Sequence, residues 1–197
     1  MKDKFIFVDI DTQNDFIFKK GSLYVPDAEK LIDGIKKITD FATESGIKIF
    51  SSIDTHIEND PEFKHFPPHC VENTWGWEKI RESITKNYIL IPMEDFNLEN
   101  PEKYNQFIFK KNKFSIFSNG NILKVLKTFD VRKVYIYGVA TEFCVKESAL
   151  DFKKHGFETY VLSGLIKGVN KMDSEIAISE MKETGIDFIS VDAFLKA

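Results

Sequence analysis

The sequence predicts a doubly wound α/β domain, with helices on both faces of a mostly parallel sheet. Three observations carry that expectation. Runs rich in Val, Ile, Phe and Tyr alternate along the chain with segments whose apolar residues recur at helical spacing. Several of these runs are continuously apolar, as strands are when helices cover both faces of a sheet. The chain has 197 residues, 43% hydrophobic with 19 phenylalanines, enough to bury a large core in one domain and short for two. Residues 1–197 are therefore expected to form a single domain.

Taken in order, the first strand-like run, Lys4 to Ile10, is apolar until Asp9 and is followed at once by Asp11. A helix is expected over Ala28 to Ser45, where Leu31, Ile32, Ile35, Ile38 and Phe41 make one apolar face. Pro26 and Asp27 mark its start, Asp27 as N-cap, and Gly46 its stop. Further strand-like runs are Ile47 to Ile53, Tyr88 to Ile91, Gln106 to Lys110, Lys133 to Tyr137, Glu158 to Leu162 and Phe188 to Val191. Helical patterns occupy Asn119 to Thr128, Thr141 to His155 before Gly156, and Lys171 to Thr184 before Gly185. Glu58 to Asn87 and Met93 to Asn105 are long and irregular, as functional or mobile loops are. Ligands in doubly wound sheets sit beyond the carboxyl ends of the strands, so the residues just after each run are where chemistry is expected.

Composition removes several function classes. A net charge of −4 with no sustained basic run lacks the electrostatic footprint of nucleic-acid binding. No stretch approaches the ~20 apolar residues of a membrane span. Met1 to Lys4 lead into an apolar segment broken by Asp9 without a small-residue cleavage site, so the expected location is the cytoplasm. Cys70 and Cys144 are too few for a disulfide framework.

Four groups of residues carry possible chemistry. Asp9 and Asp11 end the first run; a haloacid-dehalogenase-type phosphatase places such a pair there, with Asp9 as nucleophile around Mg²⁺, but Gln13 and the single acid Asp192 after the last run depart from that pattern. Cys144 follows the Lys133 to Tyr137 run and Gly138 and falls in the first turn of a helix, where the dipole and unpaired N–H groups stabilise a thiolate. Lys111, just past another strand end, would lie at the same edge, where its charge would lower the thiol pKa; the alternative is a solvated cluster with Lys110 and Lys113. Asp54 and His56 are two apart after a strand and point the same way if extended, and His69 closes from the loop. Two imidazoles and a carboxylate make a sensible Zn²⁺, Mn²⁺ or Fe²⁺ site, with His65 or Glu62 as further ligands, against the alternative of a solvated loop.

Together these segments resemble the isochorismatase-like cysteine hydrolase superfamily and, within it, the nicotinamidases and pyrazinamidases. The resemblance rests on Asp11-Thr12-Gln13-Asn14-Asp15-Phe16, on Lys111 followed by Phe114-Ser115-Ile116-Phe117, on Gly138-Val139-Ala140-Thr141 through Cys144-Val145, and on Phe66-Pro67-Pro68-His69-Cys70. It implies a three-layer α/β/α fold with a mostly parallel six-stranded sheet and a cis peptide between Val139 and Ala140. It also implies a catalytic Asp11, Lys111 and Cys144, and an oxyanion hole from the N–H groups of Ala140 and Cys144. Asp54, His56 and His69 would hold one divalent metal, zinc ahead of manganese or iron, with Glu62 as the candidate fourth ligand. Phe16 would line the substrate slot, and Cys70 would be a packed, unreactive thiol. The implied reaction is hydrolysis of nicotinamide, a small-molecule amide, to nicotinate and ammonia through a thioester, serving NAD salvage, in a homo-oligomer. Two departures, Thr55 where these enzymes commonly have Trp and Asp9 where they have an apolar residue, leave open another small amide or carbamoyl compound. A buried Asp9 must be paired or protonated.

Overall fold

The computed structural model describes residues 4–196; Met1, Lys2 and Asp3, part of the leader reading, and Ala197 lie outside the described residues. The strands among the described residues are β1 (Phe5–Ile10), β2 (Ile49–Asp54), β3 (Tyr88–Ile91), β4 (Gln106–Lys111), β5 (Lys133–Val139), β6 (Glu158–Lys167) and β7 (Asp187–Ile189). They form one sheet in the order β3-β4-β2-β1-β5-β6-β7, every neighbouring pair parallel. The sheet therefore has seven strands, not six. The seventh is a three-residue edge strand, paired through Tyr160↔Asp187, Val161↔Phe188 and Leu162↔Ile189.

The helices are α1 (Asn14–Ile17), α2 (Ile32–Ser45), α3 (Ile122–Leu126), α4 (Lys146–Lys154), α5 (Lys171–Glu183) and α6 (Val191–Leu195). Because successive strand residues point to opposite faces, β1 sends Ile6, Val8 and Ile10 into a core with Val125 of α3, Phe152 of α4 and Met181 of α5. Phe7 enters the other core, with Ile35 and Ile38 of α2 and, at its margin, Phe194 of α6. Two cores on one sheet make the three layers. At about 25 cal/mol per Å² of apolar surface, a fully buried Phe or Ile contributes roughly 1.5–3 kcal/mol, and these two cores supply the main driving force. Among the described residues, no helix is long and apolar enough to cross a membrane.

Several local expectations change. Asp27 does not cap a helix: it is left-handed (φ 63) and pairs with Lys30 at 2.9 Å, and a 3-10 turn over Ala28–Leu31 precedes α2. The pattern over Asn119 to Thr128 gives only α3, five residues long. Thr141 to His155 opens with a π-helical turn, Thr141–Val145, before α4. β2 and β4 each run one residue further than expected, to Asp54 and Lys111, and β6 continues to Lys167.

Candidate active site

The strand order β4-β2-β1-β5 sets side by side the carboxyl ends that bear Lys111, Asp54, Asp11 and the turn with Cys144. The chain leaves β1 toward β2 on one side, while β5 lies on the other, so Asp11 and Cys144 flank the switch point where such sheets bind ligands. Gly138 makes this approach possible: its φ is +123, and a Cβ there would lie 2.0 Å from the Ile10 carbonyl oxygen. A cis peptide joins Val139 to Ala140.

At that point Lys111 Nζ lies 2.8 Å from Asp11 Oδ2, 3.5 Å from Cys144 Sγ and 3.5 Å from Asp54 Oδ1. Lys111 and Asp11 are fully buried, and Cys144 is 9% exposed. Asp11 is itself left-handed (φ 48), a conformation that costs an ordinary L residue roughly 1–2 kcal/mol and that Asp tolerates better than most. Ser52 holds it there: its hydroxyl donates to Asp11 Oδ1 at 2.7 Å and accepts from the Asp11 N–H at 3.2 Å. The Lys111 contact on Oδ2 is not along a hydrogen-bond direction, so that oxygen keeps acceptor capacity toward the neighbouring thiol.

Burial opposes the charge on Lys111, but Asp11 and Asp54 outweigh it and push the ammonium well above its usual range. The thiol behaves otherwise. Burial pushes Cys144 well up; Lys111 opposes this, but the carboxylates of Asp11 and Asp54 add to it. Lys111 acts on the thiol in the expected direction, but burial, joined by the two carboxylates, outweighs it. One ammonium is answered here by two carboxylates among buried groups, and a carboxylate of Asp11 stands beside the Cys144 thiol to receive its proton.

Next to this trio, Asp54 Oδ2 lies 3.0 Å from His56 Nε2 and 3.4 Å from His69 Nε2. All three residues are buried, and their ligand atoms lie within 4.8 Å of one another. Of the other ring nitrogens, His69 Nδ1 is hydrogen-bonded to the Pro67 carbonyl oxygen at 2.8 Å, while His56 Nδ1 lies 3.0 Å from Asp60 Oδ2 but not along a hydrogen-bond direction. Metal-binding histidines commonly have one ring nitrogen oriented by an oxygen, as His69 is by the Pro67 carbonyl. Burial opposes ionisation of Asp54, yet the Lys111 charge and hydrogen bonds from His56 and His69 hold its carboxyl far below the ordinary range. Burial likewise opposes the charge on His56, but Asp54 and Asp60 raise it to about 9. A divalent cation entering this group would displace the proton of His56, and the two imidazoles and the Asp54 carboxylate, buried and within 4.8 Å of one another, would then suit it. Glu62 is grouped with His56 and Asp60 and not with the full set of three, while His65 is exposed.

Aromatic rings surround the group. Phe16 lies 5.7 Å from the His69 ring, Phe66 lies 6.2 Å from it, and Phe143 touches Phe66 and Phe114. An adjoining cavity of about 570 Å³ is lined by Glu62, His65, Phe66, Lys113 and Phe114, among others. Thr55, where an aromatic wall was expected to be missing, alternates away from Asp54 and His56 and accepts a hydrogen bond from the Trp77 indole at 2.9 Å. Asp9 is sealed: Lys79 Nζ at 3.0 Å, Thr12 at 2.8 Å and Ser51 at 3.2 Å surround it. Both of its carboxylate oxygens are thus taken by side chains of the fold. Cys70 is fully buried, and burial, then nearby carboxylates, push its thiol up.

Sequence reasoning missed Ser52, Lys79 and Asp60. Ser51 and Ser52 carried a usable signal, two hydroxyls inside an otherwise apolar buried strand, where polar groups are kept only if bonded. Lys79 and Asp60 sit in an irregular loop without periodicity and gave none.

Comparison with known proteins extends over the same ground. The family model of the isochorismatase domain matches residues 5–89 and 92–193. The nicotinamidase of Saccharomyces cerevisiae is 29% identical, over 88% of this chain and 92% of that protein. The pyrazinamidase of Pyrococcus horikoshii, solved in complex with zinc, superposes with a TM-score of 0.79 at 32% identity, over 95% of this chain and 99% of that one. N-carbamoylsarcosine amidase from Thermoplasma acidophilum shares the fold, with a TM-score of 0.74 at 20% identity over 95% and 96% of the two chains. With the family model running from the first strand to the last helix, this chain belongs to the isochorismatase family.

Proposed function

We propose that the chain is a nicotinamidase-like cysteine amidohydrolase that converts nicotinamide and water to nicotinate and ammonia. The observation that carries the reading is the meeting of Asp11, Lys111 and Cys144 at one strand edge beside Asp54, His56 and His69. A buried thiol, a carboxylate with spare acceptor capacity and a fixed ammonium have the parts of covalent acyl transfer.

In the proposed sequence, Asp11 takes the proton of Cys144 as sulfur attacks the amide carbonyl, so a C–S bond forms without a free thiolate ever standing unpaired. Lys111 keeps the site's charge nearly constant as the negative charge moves between oxygen and sulfur. The N–H groups of Ala140 and Cys144 receive the oxyanion, a contribution worth roughly 3–4 kcal/mol per donor in other hydrolases. Asp11 then gives its proton to the departing nitrogen, the C–N bond breaks and ammonia leaves. In the second half Asp11 takes a proton from water, the hydroxyl adds to the thioester, and the C–S bond breaks with sulfur regaining its proton. Asp54, His56 and His69 would hold a divalent metal, with Glu62 the candidate fourth ligand; the ion, when bound, supplies a Lewis-acidic position for a ring nitrogen. Zinc is favoured, in keeping with the similar zinc-bound pyrazinamidase. Phe16 would lie against the bound ring.

The remaining assignments stand beside this reading: residues 1–197 as one domain, a cytoplasmic homo-oligomer and a place in NAD salvage. The test is ammonia release from nicotinamide by purified, metal-assayed protein. Wild type should release ammonia and Cys144→Ala should not, a loss of at least about 10³-fold if sulfur is the nucleophile. Equal release by both proteins sinks the mechanism. A silent wild type that holds one metal per chain sinks nicotinamide as substrate and turns the screen to carbamoyl and other small amides.

A further inference from the structure

Gln13 and Asp15 alternate with Asp11 along one short segment, and the reaction above assigns them nothing. Both are buried, and both bond to the backbone that carries the metal-site residues. The β1–β2 ladder ends at Asp9↔Ser51, because the chain turns off at the left-handed Asp11, while β2 runs on to Asp54. Asp54 is paired with Lys111 of β4 on one side and has lost its β1 neighbour on the other. The Gln13 side chain stands in for that neighbour. Its Oε1 accepts from the Asp54 N–H at 2.7 Å, and its Nε2 donates to the Asp54 carbonyl at 2.9 Å and to the Trp77 carbonyl at 2.9 Å. A buried N–H and C=O without such partners would be left unsatisfied, which folded chains avoid. The amide thereby fixes the backbone from which the Asp54 carboxylate reaches both Lys111 and the two histidines.

Asp15 does the same for the other half. Its Oδ2 accepts from the Cys70 N–H at 2.8 Å and its Oδ1 from the Ser22 N–H at 2.9 Å. Cys70, the residue after His69, is left-handed (φ 46). A charge-assisted bond at that residue sets where His69 stands. The fit around the carboxylate is close: a Cβ on Gly76 would meet Asp15 Oδ2 at 2.1 Å.

We infer that Gln13 and Asp15 are positioning residues for metal binding, Gln13 through Asp54 and Asp15 through His69. One five-residue segment then supplies the proposed base and braces both arms of the adjacent metal group. The inference rests on the metal half of the proposed function and not on the identity of the amide.

The experiment measures zinc affinity of metal-stripped protein by competition with a chromogenic chelator, and the visible spectrum of the cobalt-loaded protein as a report on geometry. Gln13→Met and Asp15→Asn should each weaken zinc by about 10–100-fold, the usual cost of removing a group that orients a metal ligand, and alter the cobalt spectrum. The matched control is Gln106→Met. Gln106 is also a fully buried glutamine with three hydrogen bonds, from the Thr85 N–H and to Ser51 and Ser83, but it opens β4 at the opposite end of the sheet. It should lower thermal stability and leave zinc affinity within about twofold of wild type. If Gln13→Met does not fold, Asp15→Asn decides on its own. Wild-type binding with unchanged affinity in the folded variants, or equal losses in the control, overturns the inference and leaves the proposed function standing. A wild type that binds no zinc overturns the metal reading and this inference together.

Discussion

Cys144 shows how far a residue's chemistry depends on its neighbours. Its place in the first turn of a helix suggests a lowered thiol pKa, yet burial and the carboxylates of Asp11 and Asp54 outweigh Lys111 and push the thiol up. For the free protein this sets a pH dependence. A thiol pushed above its ordinary value of 9.0 reacts as a thiol at neutrality, so alkylation by iodoacetamide should keep accelerating as the pH passes 9 instead of levelling off below 8. Mass spectrometry of the modified peptide is the check, and a plateau near neutrality would contradict the raised pKa. Cys70 should remain unlabelled in the folded state throughout, since it is fully buried. Asp9 illustrates the complementary case: the need for a partner was legible from a carboxylate in an apolar run, but the partner, Lys79, lies 70 positions away in a loop and was not.

Among the elements, those whose local signals agree with their packing were legible. α2 and α5 have apolar faces that meet a core, and α2 ends at a left-handed Gly46. α3 fell short of its pattern because Asn119 and Asn121 are spent elsewhere. Asn119 donates to the carbonyls of Ile91, Pro92 and Lys110, and Asn121 to those of Pro92 and Glu94, pinning the loop after β3. Side chains that bond to distant backbone in this way compete with helix formation. β5 is where an element carries the site. Gly138 is strained for any L residue by its φ of +123 and blocked by the Ile10 carbonyl. Gly138→Ala should therefore destabilise the fold by about 2–4 kcal/mol, seen as a lower urea midpoint. Because the displaced group adjoins Asp11, the variant should also lose activity at temperatures where it is still folded. A variant with wild-type stability would show that β5 can move away from β1 and that the close approach at Gly138 is not required.

For the whole molecule, the sheet order is what brings the residues of four strand ends into one cluster. Metal binding at that cluster should be felt globally: an ion present at about 100 times its Kd adds roughly 2.7 kcal/mol, or about 5–10 °C in a chain of this size. Stripping the metal with a chelator should lower the melting temperature by that amount, and restoring zinc should recover it; an unchanged melting curve would argue against a metal bound at Asp54, His56 and His69. The alternation of strand and helix, the apolar faces and the motif-bearing segments were all determined by the sequence itself, because they follow from local periodicity and residue chemistry. The seventh strand, the carboxylates set beside the Cys144 thiol, the bonds that Ser52, Gln13 and Asp15 make and the pairing of Asp9 with Lys79 were decided only by tertiary structure. Each depends on which distant groups share a dry space, and neither periodicity nor spacing along a chain encodes that.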